Sequence, residues 1–252
     1  MINRFKDIIY NLLFRENVII SSDSSLKGKV VVITGASKGI GKSTAEILLS
    51  RDAKVVVMSR DGKELEKTFI NKKNCLIISG DVSSENDCKR VFNKTIEAFG
   101  KIDVLINNAG IFKGNFIENM SEKDWDALMS VNLKGVFLMS KSVISEMKKN
   151  KKGLILNIGS KISHNRNIES QKVAYATTKY AVEGFSYALG NELKPFGIRV
   201  SCLMPATVNT FRSLDPGRYL SQYKLAEIIS MLIKHEDVHF ESIILKSVRQ
   251  DI

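Results

Sequence analysis

Two hydrophobic periods alternate along the chain. Short runs apolar on both faces are KVVVIT (29–34), KVVVM (54–58), CLIIS (75–79), DVLIN (103–107), GLILNIGS (153–160), IRVSCLM (198–204) and ESIILK (241–246). Between them lie longer stretches with helical spacing, such as 41–51, 121–149 and 173–194. A strand that is apolar on both faces belongs in a parallel sheet with helices above and below it. The pattern therefore predicts a single doubly wound α/β domain of Rossmann type, with a seven-stranded, mainly parallel sheet.

Residues 1–26 stand apart as an extension ahead of a domain spanning 27–252. Ile2, Phe5, Ile8, Ile9, Leu12 and Leu13 recur at helical spacing, with Arg4, Lys6 and Arg15 among the polar positions. This predicts an amphipathic helix, joined to the domain by the polar linker SSDSSLKG (21–28). The apolar run is short and no small-residue cleavage site follows, so a signal peptide fits poorly. A helix packed on the body or on a second subunit is the first expectation, and contact with a membrane surface is the alternative. No stretch reaches the roughly 18 uninterrupted apolar residues of a membrane span.

Charge narrows the partners. The net charge is +11, but the lysines are spread along the whole chain, as on a solvated surface. No run of aromatics and arginines resembles a nucleic-acid module, so no nucleic-acid partner is expected. The basic knot MKKNKKG, with Lys148, Lys149, Lys151 and Lys152, suits an acidic protein. Cys75, Cys88 and Cys202 have neither disulfide nor metal spacing, which points to a reducing, cytoplasmic setting.

The first candidate chemistry lies in VVVITGASKGIGKSTAEILL. Gly35, Gly39 and Gly41 fall in the turn between the first strand and the first helix. A dinucleotide pyrophosphate needs close backbone approach and a helix N-terminus at that place. Ser37, Lys38 and Ile40 belong to the same turn. The second strand ends VVVMSRDGK, with Ser59 where an NAD site usually carries an acid, and Arg60 next to it. Two cations, Lys38 and Arg60, suit a 2′-phosphate, so NADP(H) is expected and NAD(H) is the alternative. Asp61 is expected to cap the following helix.

Further on come GDVSSE after the third strand, NNAG after the fourth, SVNLKG inside a long helix, LNIGS closing the fifth strand, and YATTKYAVEGF opening the next helix. Together these motifs resemble the short-chain dehydrogenase/reductase family, and 3-oxoacyl-(acyl-carrier-protein) reductase-like members in particular. The resemblance runs from Lys27 to the last strand. It implies a catalytic set of Asn132, Ser160, Tyr175 and Lys179. A free tyrosine titrates near 10, too high for acid–base work at neutral pH. Lys179, one helical turn on, is expected to favour the phenolate, and Ser160 to hold the substrate oxygen. The resemblance further implies that Asn132 organises a water relay and that Lys179 contacts the nicotinamide ribose. It puts Asp81 and Val82 beside the adenine, Asn107 near the adenosine ribose with Ala109 and Gly110 following, and Pro205, Val208 and Thr210 at the nicotinamide.

The expected reaction interconverts a carbonyl and an alcohol, with a 3-oxoacyl thioester as the leading substrate and a general carbonyl, sugar or steroid as alternatives. A homodimer or homotetramer through helices 121–149 and 173–194 is implied, and an acidic carrier protein is a candidate partner. The rival from another class is a non-catalytic NADP(H) sensor or scaffold. Three features depart from the family: Ala206 replaces a glycine, the loop between Ser160 and Tyr175 is longer than usual, and the lid after Thr210 is short. HEDVH (235–239) matches a zinc-protease string, but Ser242 and Leu245 occupy the extended motif's places, so no metal is expected.

Overall fold

A computed structural model of the chain describes residues 26–165, 168–209 and 219–247. The amphipathic extension and Thr210 lie outside the described residues. Leu26, placed in the linker by the sequence pattern, is fully buried in the core.

The strands are β1 (Val30–Thr34), β2 (Lys54–Ser59), β3 (Cys75–Ser79), β4 (Val104–Asn107), β5 (Gly153–Ile158), β6 (Ile198–Pro205), the two-residue β7 (Val208–Asn209) and β8 (Leu220–Ser221), and β9 (Ser242–Leu245). Seven of them form one sheet in the order β3-β2-β1-β4-β5-β6-β9, every neighbouring pair parallel. β7 and β8 form a small parallel pair.

Alternate residues of each strand feed different cores. Val31, Ile33, Val55, Val57, Ile106 and Leu156 pack on one face with α1 (Gly39–Ser50) and α7 (Gln222–Lys234). Val32, Val56, Leu105 and Ile155 pack on the other face with α3 (Glu85–Phe99), α5 (Gly135–Asn150) and α6 (Val173–Leu193). The period-2 side-chain alternation of a strand thus explains why these runs are apolar throughout. α2 (Gly62–Phe69) covers β2 and β3 through Leu65 and Phe69.

The helix expected over 121–149 has three parts: α4 (Glu122–Met129), a π turn at Ser130–Lys134, and α5. This rod is long and apolar enough to cross a membrane by length and composition. Its Leu138, Met139, Val143 and Met147 are nevertheless buried in the core beneath the sheet.

The strand order reverses between β1 and β4. In a doubly wound sheet the ligand crevice opens there, beyond the carboxyl ends of the strands. The basic knot lies at the other end: Lys151 and Lys152 immediately precede β5, whereas Ser160 follows it.

Candidate active site

The turn after β1 is shaped by glycine. Gly35 and Gly39 have φ of +65° and +58°, a region that L side chains rarely enter. A Cβ at Gly35 would come within 2.7 Å of Ala109 Cα, and one at Gly41 within 2.5 Å of Gly35 O. These contacts press the β1 and β4 turns together. Thr34 Oγ1 accepts the Asn108 and Ala109 N–H groups, both at 3.0 Å. Asn108 Nδ2 in return donates to the Thr34 and Gly35 carbonyls, both at 3.0 Å. α1 then starts at Gly39 with no side-chain cap and no acid in its first turn. Its N–H groups and positive dipole end face the crevice.

A cavity of about 410 Å³ opens beside this turn, lined by Gly35, Ser37, Lys38, Ser59, Arg60 and Asp81 among others. Ser59 Oγ donates to Ser37 Oγ at 3.1 Å. Asp61 caps α2 by accepting the Glu64 N–H at 3.0 Å, as its position suggested, so its carboxylate is committed to the helix. Arg60 is 63% exposed and 3.8 Å from Asp81, a loose pair of little energetic weight. Partial burial works against ionisation of Asp81, but the Ser83 amide and hydroxyl and the Arg60 charge outweigh it and hold the carboxyl below its usual range. Val82 also lines this cavity and packs against Gly135. The donor set of hydroxyls, cations and a helix N-terminus fits a phosphorylated dinucleotide.

A larger cleft of about 680 Å³ adjoins it, and the two share Ile40, Asn108, Gly110 and Ile111. Ser160, Tyr175, Lys179, Pro205 and Val208 line this cleft. Ala206 lines it too, with its N–H donating to Leu245 O at 2.7 Å. Ser160 caps a short turn, Lys161–His164, and its hydroxyl acts on the Tyr175 phenol to lower its pKa. Lys179, one turn along α6, is only 7% exposed. Its Nζ donates to the Ile158 carbonyl at 2.8 Å and lies 5.7 Å from the Tyr175 ring centre.

Burial dominates the protonation of this pair. It pushes the Tyr175 phenol up, against the opposing Ser160 hydrogen bond. It pulls the Lys179 ammonium down to about 8. Desolvation of a nearly enclosed phenol thus acts against the lowering that the nearby lysine was expected to bring. Tyr175 is a protonated acid at neutral pH.

Asn132 sits in the π turn and lines neither cavity. Its Oδ1 accepts the Ile111 N–H at 2.8 Å, while Nδ2 donates to Ile111 O at 3.0 Å and to Thr178 Oγ1 at 3.2 Å. Its amide is thus spent on the backbone beside the cleft and on α6. Asn107 is a plain correction. Its amide does not face the cofactor cavity but donates to Ser140 Oγ at 3.1 Å and Asn157 Oδ1 at 2.8 Å, deep in the core. Asn108 takes the cavity-lining place. Sequence reasoning passed over Asn108 and Thr34, although the doubled asparagine of NNAG was the available signal.

The zinc-protease string is dispersed. Glu236 pairs with Lys29 and Lys152, and His239 Nε2 donates to the Val200 carbonyl at 3.0 Å. Among the described residues no cluster of three acidic, His or Cys side chains could hold a metal.

Comparison with known proteins gives this geometry its class. Residues 29–215 match the family model of the short chain dehydrogenases. Over 207 residues the chain is 36% identical to a 3-oxoacyl-(acyl-carrier-protein) reductase of Buchnera aphidicola, covering 81% of this chain and 82% of that one. The crystal structure of a 3-ketoacyl-(acyl-carrier-protein) reductase from Brucella melitensis, complexed with NADH, superposes with a TM-score of 0.81 at 31% identity, over 89% of this chain and 99% of that one. An alcohol dehydrogenase from Thermococcus sibiricus, complexed with 5-hydroxy-NADP, gives a TM-score of 0.79 at 30% identity, over 88% and 97%. The fold and cleft are those of an oxidoreductase acting on CH–OH groups. The chain belongs to the short-chain dehydrogenase family.

Proposed function

We propose that the protein is an NADP(H)-dependent reductase of a carbonyl substrate, with a 3-oxoacyl thioester as the leading class. The observation that carries this reading is the continuity of the two cavities. The hydroxyl pair Ser160–Tyr175 with Lys179 lies in one, and Lys38 with Arg60 lies in the other.

When bound, the dinucleotide supplies or accepts a hydride. Gly35, Ser37 and the N-terminus of α1 would hold its pyrophosphate. Lys38, Ser59 and Arg60 would hold the 2′-phosphate, and the absence of an acid at position 59 removes the usual barrier to it. The substrate carbonyl oxygen lies between Ser160 Oγ and the Tyr175 hydroxyl. As the carbonyl carbon gains a hydride, the C=O π pair moves to that oxygen, which takes the phenolic proton of Tyr175. Lys179 then stabilises the phenolate left behind. In the oxidative direction the same proton returns to Tyr175. Asn132 keeps the wall at Ile111 in place.

Among the described residues, Lys161 and Lys172 line the cleft beside the catalytic group. An acidic carrier delivering a thioester would meet these before the basic knot, which stands at the far end of β5. Phe137, Tyr180 and Tyr187 are exposed on α5 and α6, a surface suited to a homodimer or homotetramer. A monomer by light scattering would overturn that part. The three thiols are unpaired, in keeping with a cytoplasmic enzyme.

The test is NADPH oxidation across 3-oxoacyl thioesters, diketones, aldehydes and sugars, with wild type and Tyr175→Phe side by side. Turnover of a thioester that is lost in the variant supports the reading. Tight NADPH binding with no turnover of any substrate would replace it with a sensor.

A further inference from the structure

Phe112 lies edge-on to the catalytic tyrosine. Its ring centre is 5.3 Å from that of Tyr175, with the planes at 77°, the T-shaped arrangement that aromatic pairs prefer. Yet Phe112 is 56% exposed, which is costly for so large an apolar ring unless something covers it in use. The backbone around it is secured on both sides. Asn132 grips both polar groups of Ile111, and the Asn115 N–H donates to the Gln171 carbonyl at 3.0 Å. Gly114 leaves room for the ring, because a Cβ there would come within 3.0 Å of Phe112 Cζ. Ile162 and Ile168 line the same cleft, so it has apolar side chains as well as the reacting hydroxyls.

Building on the carbonyl-reductase reading, we propose that Phe112 is a specificity-determining residue that, with Ile162 and Ile168, forms an apolar throat for an aliphatic limb of the substrate. The carbonyl sits at Ser160 and Tyr175, and the carbon chain next to it leaves along the Phe112 ring. Polar groups placed against these three side chains would be desolvated, although Lys161, Asn165, Glu169 and Lys172 line other parts of the cleft. The throat therefore favours an alkyl limb where the substrate runs along the Phe112 ring.

The test is kcat/KM of wild type, Phe112→Ala and Phe112→Leu on unbranched 3-oxoesters that differ by single methylenes. Full burial of each methylene gives about a fourfold rise per added carbon. Wild type is expected to approach that slope over the first few carbons. Phe112→Ala should flatten it to below about twofold per carbon, chiefly through KM, and Phe112→Leu should restore most of it. NADPH affinity, read by fluorescence titration, should stay unchanged in both variants and shows that each is folded. An unaltered slope in Phe112→Ala would overturn the throat while leaving the reductase reading intact. Failure of wild type on every carbonyl tested would remove both.

Discussion

Asn132 holds Ile111 by both polar groups of its backbone, accepting the N–H at 2.8 Å and donating to the carbonyl at 3.0 Å. A side-chain amide pairs with a peptide in this way because it carries a donor and an acceptor side by side. Asn132→Asp keeps the acceptor but turns an oxygen toward the Ile111 carbonyl and Thr178. We expect kcat/KM to fall about 10- to 100-fold, the cost of one buried polar mismatch. Steady-state kinetics and NADPH titration check this. Loss of cofactor binding equal to the loss of turnover would show that the whole cleft, and not the Ile111 wall, had moved.

Tyr175→Phe removes the acid and keeps the ring that packs on Phe112. General acid catalysis contributes about 10²- to 10⁴-fold, so kcat should drop within that range. NADPH affinity should change by less than about twofold, because a phenyl ring preserves the packing at this site.

Lys179 ties activity to pH and to stability with opposite signs. Its pKa is lowered from 10.5 to about 8 by burial, so between those values the unfolded chain binds more protons than the folded one. Stability therefore rises with pH across that window, and at pH 7 the full cost of the buried charge is present. Lys179→Met should abolish turnover yet raise the thermal midpoint of the cofactor-free protein at pH 7. That gain over wild type should shrink as pH increases from 8 toward 10.5. Melting curves of both proteins across this range provide the check, and a constant difference would refute the assignment. Turnover by wild type should decline above about 8, as the ammonium that stabilises the phenolate is lost.

Much of this was legible in the sequence because the signals were local. The strands declared themselves by being apolar on both faces, and Asp61 stood where a cap before a helix belongs. The π turn at Ser130–Lys134 left no such mark: no proline lies in it, and its geometry is bound up with the long-range contact between Asn132 and Ile111. The exchange of roles between Asn107 and Asn108 was hidden for a similar reason. Adjacent strand residues face opposite ways, and only the pairing of Asn107 with Asn157 across β4 and β5 decides which asparagine is buried. The burial that raises the Tyr175 phenol was hidden because spacing reports the neighbour, Lys179, but not the degree of enclosure.

Cofactor choice rests on Lys38 and Arg60. Both line the cavity at the end of β2, and Arg60 is free to leave its loose contact with Asp81. Charge-assisted hydrogen bonds contribute about 1.5–3 kcal/mol, so Arg60→Ala should raise KM for NADPH about 10- to 100-fold. The NADH value should move by less than about threefold, since its 2′-hydroxyl offers no charge to pair. Equal effects on both cofactors would assign Arg60 to the adenine instead.

Thr34 is the joint between the two turns that frame the crevice. Its hydroxyl oxygen takes two backbone N–H groups, from Asn108 and Ala109, and is itself almost fully buried. Thr34→Val matches it in shape but leaves the Ala109 N–H without a partner, at about 1–3 kcal/mol, while the Asn108 N–H keeps only its bond to the Ile106 carbonyl at 3.1 Å. Urea unfolding should show a loss of about 1–3 kcal/mol with little change in slope. Because the same N–H groups set the path of the chain into Gly110, NADPH should also bind more weakly. Thr34→Ser retains the acceptor and should recover both properties. A stable Thr34→Val protein with normal NADPH affinity would mean that the Asn108 side chain alone, through the Thr34 and Gly35 carbonyls, is enough to hold the turns together.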